Sequence, residues 1–383
     1  MRKAALFSAV VVATLALAVF VSWDYVRGAS FVIQAANIEG VARTAAEWST
    51  EAVAESPARV PWRGGELTAR WYMPAGRSAR PVLIVPGVHA GGIEEPRLVA
   101  FARDVASMGH PVLTARLPDL TQYSITARTT DMIEDAAQWL AAQREHAAAD
   151  GRVGVMGISF AGGLSIVAVS RPALKDRVAF VMSFGGHGDL PRTLRYLCTG
   201  VQPTGDRRPP HDYGVAIILL GAADRAVPSG QVEPLRNAIL AFLDASHLDM
   251  VDKARAKLAF DHARQLEANL AEPAKTLMGY VNARDVDRLG KILLPYLSAL
   301  SGDEALSPAR AAAPAATVYL LHGEDDNVIP AVESSLLADT LRARGVRVRQ
   351  LSTPLITHAE VDKTSAAGAF WDLTRFWGAL LSE

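Results

Sequence analysis

The sequence predicts an α/β protein built on a mostly parallel sheet covered on both faces. Two observations carry this. Short, continuous apolar runs such as "RPVLIVPG" and "RVAFVMSFGG" alternate with helix-length segments, as strands buried on both faces require. Gly and Pro stand at the joints between them, where the chain must turn. The 383 residues, 50% of them hydrophobic, suffice for one large domain with an insertion or for two domains.

The chain opens with "MRK" and then "AALFSAVVVATLALAVFVSW", which carries no charge until Asp24. A run of about 20 apolar residues is long enough to cross a bilayer. A cleavable signal has a shorter apolar core, and no A-x-A site follows Trp23 directly. The expectation is therefore an uncleaved signal anchor, a transmembrane helix over 1–23. Arg2 and Lys3 set the N-terminus in the cytoplasm. The rest of the chain then lies outside it, periplasmic or extracellular, membrane-anchored or, if the segment is cleaved, secreted.

Residues 24–59 read as a juxtamembrane helix and linker, and the main domain is expected over 60–383. "ELTARWYMP" alternates and ends in Pro, a strand. "RPVLIVPG" is a buried strand, "PRLVAFARDVASMG" a helix with a terminal Gly, and "HPVLTARLPD" the next strand. "TTDMIEDAAQWLAAQRE" is a helix, "GRVGVMG" a strand, "FAGGLSIVAVSRP" a helix, and "RVAFVMSFGG" a strand. The alternation then stops. Residues 189–312 are mainly helical in pattern and predict a helical cap inserted into the sheet domain. "TVYLLHG", "VESSLLADTLRARG", "RVRQLST" and "GAFWDLTRFWGALL" then resume and close the strand–helix alternation.

Charge and cysteine usage exclude several classes. The formal net charge is -1 with no long basic run, which argues against a nucleic-acid partner. The single cysteine, Cys198, cannot form an internal disulfide, and no Cys/His cluster has zinc spacing. Asp325 beside Asp326 lacks further ligands for a metal, so neither metal nor cofactor is expected.

Chemistry concentrates where a strand meets a helix, at "GISFAGG". Ser159 falls on that turn, the context of a nucleophile elbow. Gly157, Ala161 and Gly162 let strand and helix backbones approach, and strained dihedrals lift the serine Oγ above the sheet. The Phe160 amide, at the helix start, faces a developing oxyanion. The usual spelling is G-x-S-x-G; here Ala161 takes the fifth place and Gly162 follows. A base and an acid must come from loops after later strands. "VYLLHGEDDNVIP" offers Asp325 and Asp326, and "LSTPLITHAEV" offers His358, in the order Ser, Asp, His.

With these residues the chain resembles the α/β-hydrolase superfamily, in particular esterases and dienelactone-hydrolase-like members with a helical cap. The resemblance covers about 60–383. It implies the α/β-hydrolase fold and a Ser159–Asp326–His358 triad, since "HGEDDNVIP" matches the family's acid motif at Asp326 and leaves Asp325 as the alternative. By the same resemblance the Val88 amide, in "PGVHAGG", joins Phe160 in the oxyanion hole. Dienelactone hydrolases carry a cysteine nucleophile where this chain has Ser159, which favours general carboxylic-ester hydrolysis of a small-molecule ester. Two alternatives stay open: a serine peptidase or amidase of the same fold, and a non-catalytic membrane-tethered binding protein. Asp224 in "LLGAADRAVP" and Asp189 in "GGHGDL" compete for the acid role. His322 is expected to bond backbone beside the acid loop. His89 is read as solvated and idle, His187 as a possible substrate contact, and His247 as a surface residue.

Overall fold

A computed structural model describes residues 23–76, 79–249, 252–356 and 367–383. The expected membrane-spanning segment and His358 lie outside these residues. Among the described residues no helix is long and apolar enough to cross a membrane.

The described residues open with helix α1 over residues 23–35, followed by a short α2 (Val41–Glu47). A hairpin of β1 (Val53–Trp62) and β2 (Gly65–Pro74) follows. Next come β3 (Val82–Val85), α3 (Pro96–Ser107), β4 (Val112–Ala115), the single turn α4 (Pro118–Thr121) and α5 (Ala127–Ala141). β5 (Val153–Ile158), α6 (Phe160–Val169) and β6 (Val178–Phe184) complete the first half. Among the described residues seven α-helices intervene: α7 (Leu190–Thr199), α8 (Tyr213–Ala226), α9 (Ser229–Asp249), α10 (Lys253–Ala268), α11 (Ala274–Asn282), α12 (Val286–Leu293) and α13 (Leu297–Ser301). The sheet resumes with β7 (Thr317–Gly323), α14 (Val332–Ala343), β8 (Val348–Thr353) and α15 (Ala367–Leu381).

The strands form one eight-stranded sheet in the order β1-β2-β4-β3-β5-β6-β7-β8. β2 runs antiparallel to both β1 and β4, and all other pairs are parallel. β3 and β4 are buried along their whole length, which explains their continuous apolar spelling. Their side chains alternate between two cores. Leu83 and Val85 face α5, α6 and part of the inserted helices; Val82 and Ile84 face α1, α3 and α15.

Local signals set the helix starts. Glu95 caps α3, its carboxylate accepting the Leu98 amide at 2.7 Å, with Pro96 in the first position. Thr126 and Thr129 close a reciprocal box at the start of α5.

The boundary expected at residue 60 is corrected: it falls inside β1, and the sheet begins at Val53. β1 escaped the sequence reading because it is an exposed edge strand with Pro57 and Pro61, which read as breakers. The expected juxtamembrane helix and linker is also part of the domain. α1 buries Phe31 and Val32 in the second core, and Phe31 lies 4.1 Å, centroid to centroid, from Trp377 of α15. The Arg27 guanidinium donates to the Leu381 carbonyl at 2.9 Å and the Met108 carbonyl at 2.8 Å. At the crossing of α1 with α15 only glycine fits. A Cβ on Gly28 would overlap the Thr374 carbonyl, and one on Gly378 would overlap the Asp24 carbonyl.

Candidate active site

Ser159 sits between the end of β5 and the first turn of α6 with φ 56° and ψ -135°. A left-handed φ strains any residue with a Cβ, and the surroundings hold it there. The Ser159 amide donates to the Phe184 carbonyl at 2.7 Å, and the Gly162 amide donates to the Ser159 carbonyl at 2.8 Å. The close approach is built from small residues. A Cβ on Gly157 would overlap the Ala161 carbonyl, and one on Gly162 would overlap the Ser183 hydroxyl. Ala161 in the fifth place of the motif therefore costs nothing, since the tight contact with β6 is made by Gly162.

Phe160 opens α6, so its amide is one of the helix's unsatisfied donors beside the serine. The loop after β3 lies against the same point. A Cβ built on Gly87 would stand 3.5 Å from the Ser159 Cβ, and half-buried Val88 follows. Pro86, Gly87, Val88, Ser159 and Phe160 share one cavity of about 820 Å³.

Asp326 follows β7 and is 1% exposed. Its Oδ1 accepts the amides of Val328 at 2.8 Å and Ile329 at 2.9 Å, and its Oδ2 lies 3.2 Å from His322 Nε2. Asp325 instead points outward and pairs with Arg208 at 3.1 Å. The segment joining α7 to α8 grips this loop: Arg208 donates to the Glu324 carbonyl at 2.9 Å, and the His211 amide donates to the Asn327 carbonyl at 2.9 Å. His322 is fully buried. Its Nε2 bonds the Ile329 carbonyl at 2.7 Å, so Nε2 carries the proton, and Nδ1 meets the Ser334 hydroxyl at 2.6 Å. Both ring nitrogens are engaged, one with the turn after β7 and the other with α14.

The competing residues lie elsewhere. Asp224 is exposed on α8. Asp189 caps α7, accepting the Arg192 amide at 3.0 Å, and pairs with Arg310 at 2.7 Å. His187 is corrected from a substrate contact to a buried brace: it is fully buried, its ring lies behind Phe160, and its Nε2 donates to the Leu306 carbonyl at 2.7 Å.

His89 and His247 are corrected too. The Gly91 amide donates to His89 Nδ1 at 2.9 Å, which leaves the proton on Nε2, and this nitrogen meets His247 Nδ1 at 2.7 Å. A histidine read as idle and one read as a surface residue thus join the loop after β3 to α9. Burial and the His247 ring push the His89 imidazole down to about 4.

Several cavity residues were not singled out in the sequence. Tyr123, itself left-handed at φ 56°, faces the cavity, as do His211 and Tyr213 at the start of α8. A further wall comes from Phe31, Val32 and Ala35 of α1 and the following Ala36, with Leu373 and Trp377 of α15. The helical spacing of those apolar residues in "FVIQAA" was the available clue. Among the described residues no group of His, Cys, Asp and Glu could hold a metal ion.

No family model matches the chain, and no curated protein matches its sequence. Solved structures do align with it. An esterase of Pyrobaculum calidifontis is 14% identical, with 95% of this chain and 92% of that chain covered and a TM-score of 0.49. A thermostable carboxylesterase cloned from a metagenomic library is 16% identical, covering 93% of this chain and 94% of that one at a TM-score of 0.47. An acylaminoacyl peptidase of Pyrococcus horikoshii is 14% identical over 88% of this chain and 42% of that chain, at a TM-score of 0.45. The chain's own topology gives the assignment: with an antiparallel hairpin leading into a parallel sheet of this order, and a strained serine between β5 and α6, it has the α/β-hydrolase fold.

Proposed function

We propose that this protein is a serine hydrolase that cleaves carboxylic esters through an acyl-enzyme. One observation carries the reading: a serine at a left-handed φ, held at the edge of an 820 Å³ cavity with a helix N-terminus beside it. Ser159 Oγ attacks the ester carbonyl carbon while His358 takes the hydroxyl proton. The amides of Phe160 and Val88 hold the oxyanion. The tetrahedral adduct collapses, the C–O bond to the alcohol breaks, and His358 returns the proton to the departing alkoxide. Water then attacks the acyl-enzyme by the same route and frees the acid. Asp326 fixes the tautomer of His358 and stabilises its imidazolium. Ile356 supports this role for His358, because the chain lines the cavity two residues before it. The apolar walls from Phe184, Ile217 and Leu321 favour an apolar acyl or aromatic group. The uncharged run before Asp24 anchors this domain to a membrane, outside the cytoplasm.

Fluorophosphonate labelling of a chain beginning at Trp23 tests the chemistry, with intact mass as readout. The expected result is one adduct, absent in Ser159→Ala, and a loss of ester turnover on the order of 10⁴–10⁶ in that variant. Full turnover in Ser159→Ala sinks the assignment. Matched ester and anilide substrates with one acyl group separate esterase from amidase.

A further inference from the structure

The two ends of α1 face different surroundings. At its start Trp23, Tyr25 and Val26 are exposed, and Tyr25 stacks on Trp371 of α15, ring centroids 5.3 Å apart and planes within 8°. Trp371 is itself 53% exposed. Just beyond the other end of α1, Trp48 and Val41 of the α2 segment are each 87% exposed. Apart from these, only Leu258 and Ile292 are exposed large apolar side chains among the described residues, and both belong to the inserted helices. The aromatic surface is therefore concentrated on α1, α2 and α15 rather than scattered.

The same two long helices wall the cavity. Phe31, Val32 and Ala35 of α1 with Ala36 just after it, and Leu373 and Trp377 of α15, line the space that holds Ser159. At about 1.5 Å per residue, the stretch from Trp23 to Phe31 spans about 12 Å. A bilayer's polar layer is about 5–8 Å deep on each side. Aromatic rings with one wet edge favour that layer, where Trp and Tyr gather in membrane proteins. In the sequence the uncharged run from Ala4 leads directly to Trp23, where an apolar bilayer-spanning segment of about 20 residues would end.

We infer that the Trp23–Tyr25–Val26–Trp371 face rests in the headgroup layer of a lipid bilayer, and that the cavity takes long-chain esters dissolved in that bilayer. The substrate part rests on the esterase reading above; the docking part does not. The glycine crossing of α1 on α15 and the Arg27 bonds fix the patch against the cavity wall, so the surface and the site move as one body.

The test uses the full chain reconstituted in phosphatidylcholine vesicles, with two readouts. Lipids brominated near the headgroup should quench the emission of Trp371, read as the difference between the parent and Trp371→Phe. No quenching of Trp371 overturns the docking surface whatever the activity. For the substrate, a bilayer-dissolved long-chain p-nitrophenyl ester is compared with soluble p-nitrophenyl acetate. The double variant Tyr25→Ser, Trp371→Ser should lose roughly tenfold on the former and keep the acetate rate. Equal loss on both esters, or on neither, overturns the inference. A parent that cleaves neither ester and takes no fluorophosphonate instead fails the esterase reading, while the quenching result still decides the surface.

Discussion

Ser159 and Asp326 show how backbone geometry makes ordinary side chains special. Asp325 and Asp326 have the same chemistry and adjacent positions, yet one is on the surface with Arg208 and the other is buried on two amides. The expected outcome of Asp326→Ala is a loss of turnover on the order of 10⁴, whereas Asp325→Ala should stay within about threefold of the parent. Steady-state kinetics on one soluble ester reads both. The strand and turn that bury Asp326 were legible in the sequence, because "HGEDDNVIP" combines strand, Gly and turn signals. The His89–His247 bond was not, since nothing local marks two residues so far apart in the chain as neighbours.

The buried histidines also predict an acid response. Burial pushes both His89 and His110 down to about 4 from an ordinary 6.5, and lowers His187 and His247. In the unfolded chain these imidazoles take up protons at higher pH than in the folded one. Stability held at neutral pH is therefore lost as pH falls from about 6.5 toward 4. The urea midpoint should drop between pH 7 and pH 5, and the drop should shrink in His110→Asn. An unchanged slope in that variant would remove His110 from the account.

Among the elements, the central strands were readable because burial on both faces forces an unbroken apolar spelling. β1 was not, because an edge strand carries polar residues and two prolines without penalty. The inserted helices were readable by length and spacing. The role of α1 was hidden for a different reason. Its apolar face pairs with α15 at the far end of the chain, and a one-dimensional pattern cannot say which distant face it meets. Their crossing is also where a single substitution should do most harm. Gly28→Leu would drive a side chain into the Thr374 carbonyl and the Gly378 amide. A cost on the order of 3 kcal/mol is expected, read as a fall of several degrees in the melting temperature.

At the scale of the whole molecule, strand–helix alternation foretold the sheet, while the cavity is assembled from parts that alternation cannot relate. Its walls come from the loop after β3, the turn after β5, the inserted helices, and both terminal helices. A chain truncated at residue 60, the boundary the sequence suggested, would lose half of the β1–β2 hairpin and the Phe31 wall. It should be insoluble or inactive, whereas a chain beginning at Trp23 should fold and label at Ser159. Expression of the two in parallel, read by circular dichroism and labelling, checks this.

The glycine crossing at Gly28 and Gly378 has a mechanical consequence. A domain on a slack linker swivels and presents its mouth in every direction, with its height averaged over the reach of the linker. Here α1 is bolted to α15 by direct backbone contact. Whatever fixes the start of α1 also fixes the tilt and elevation of Ser159, and no added flexibility upstream of Gly28 alters the geometry between the mounting surface and that serine.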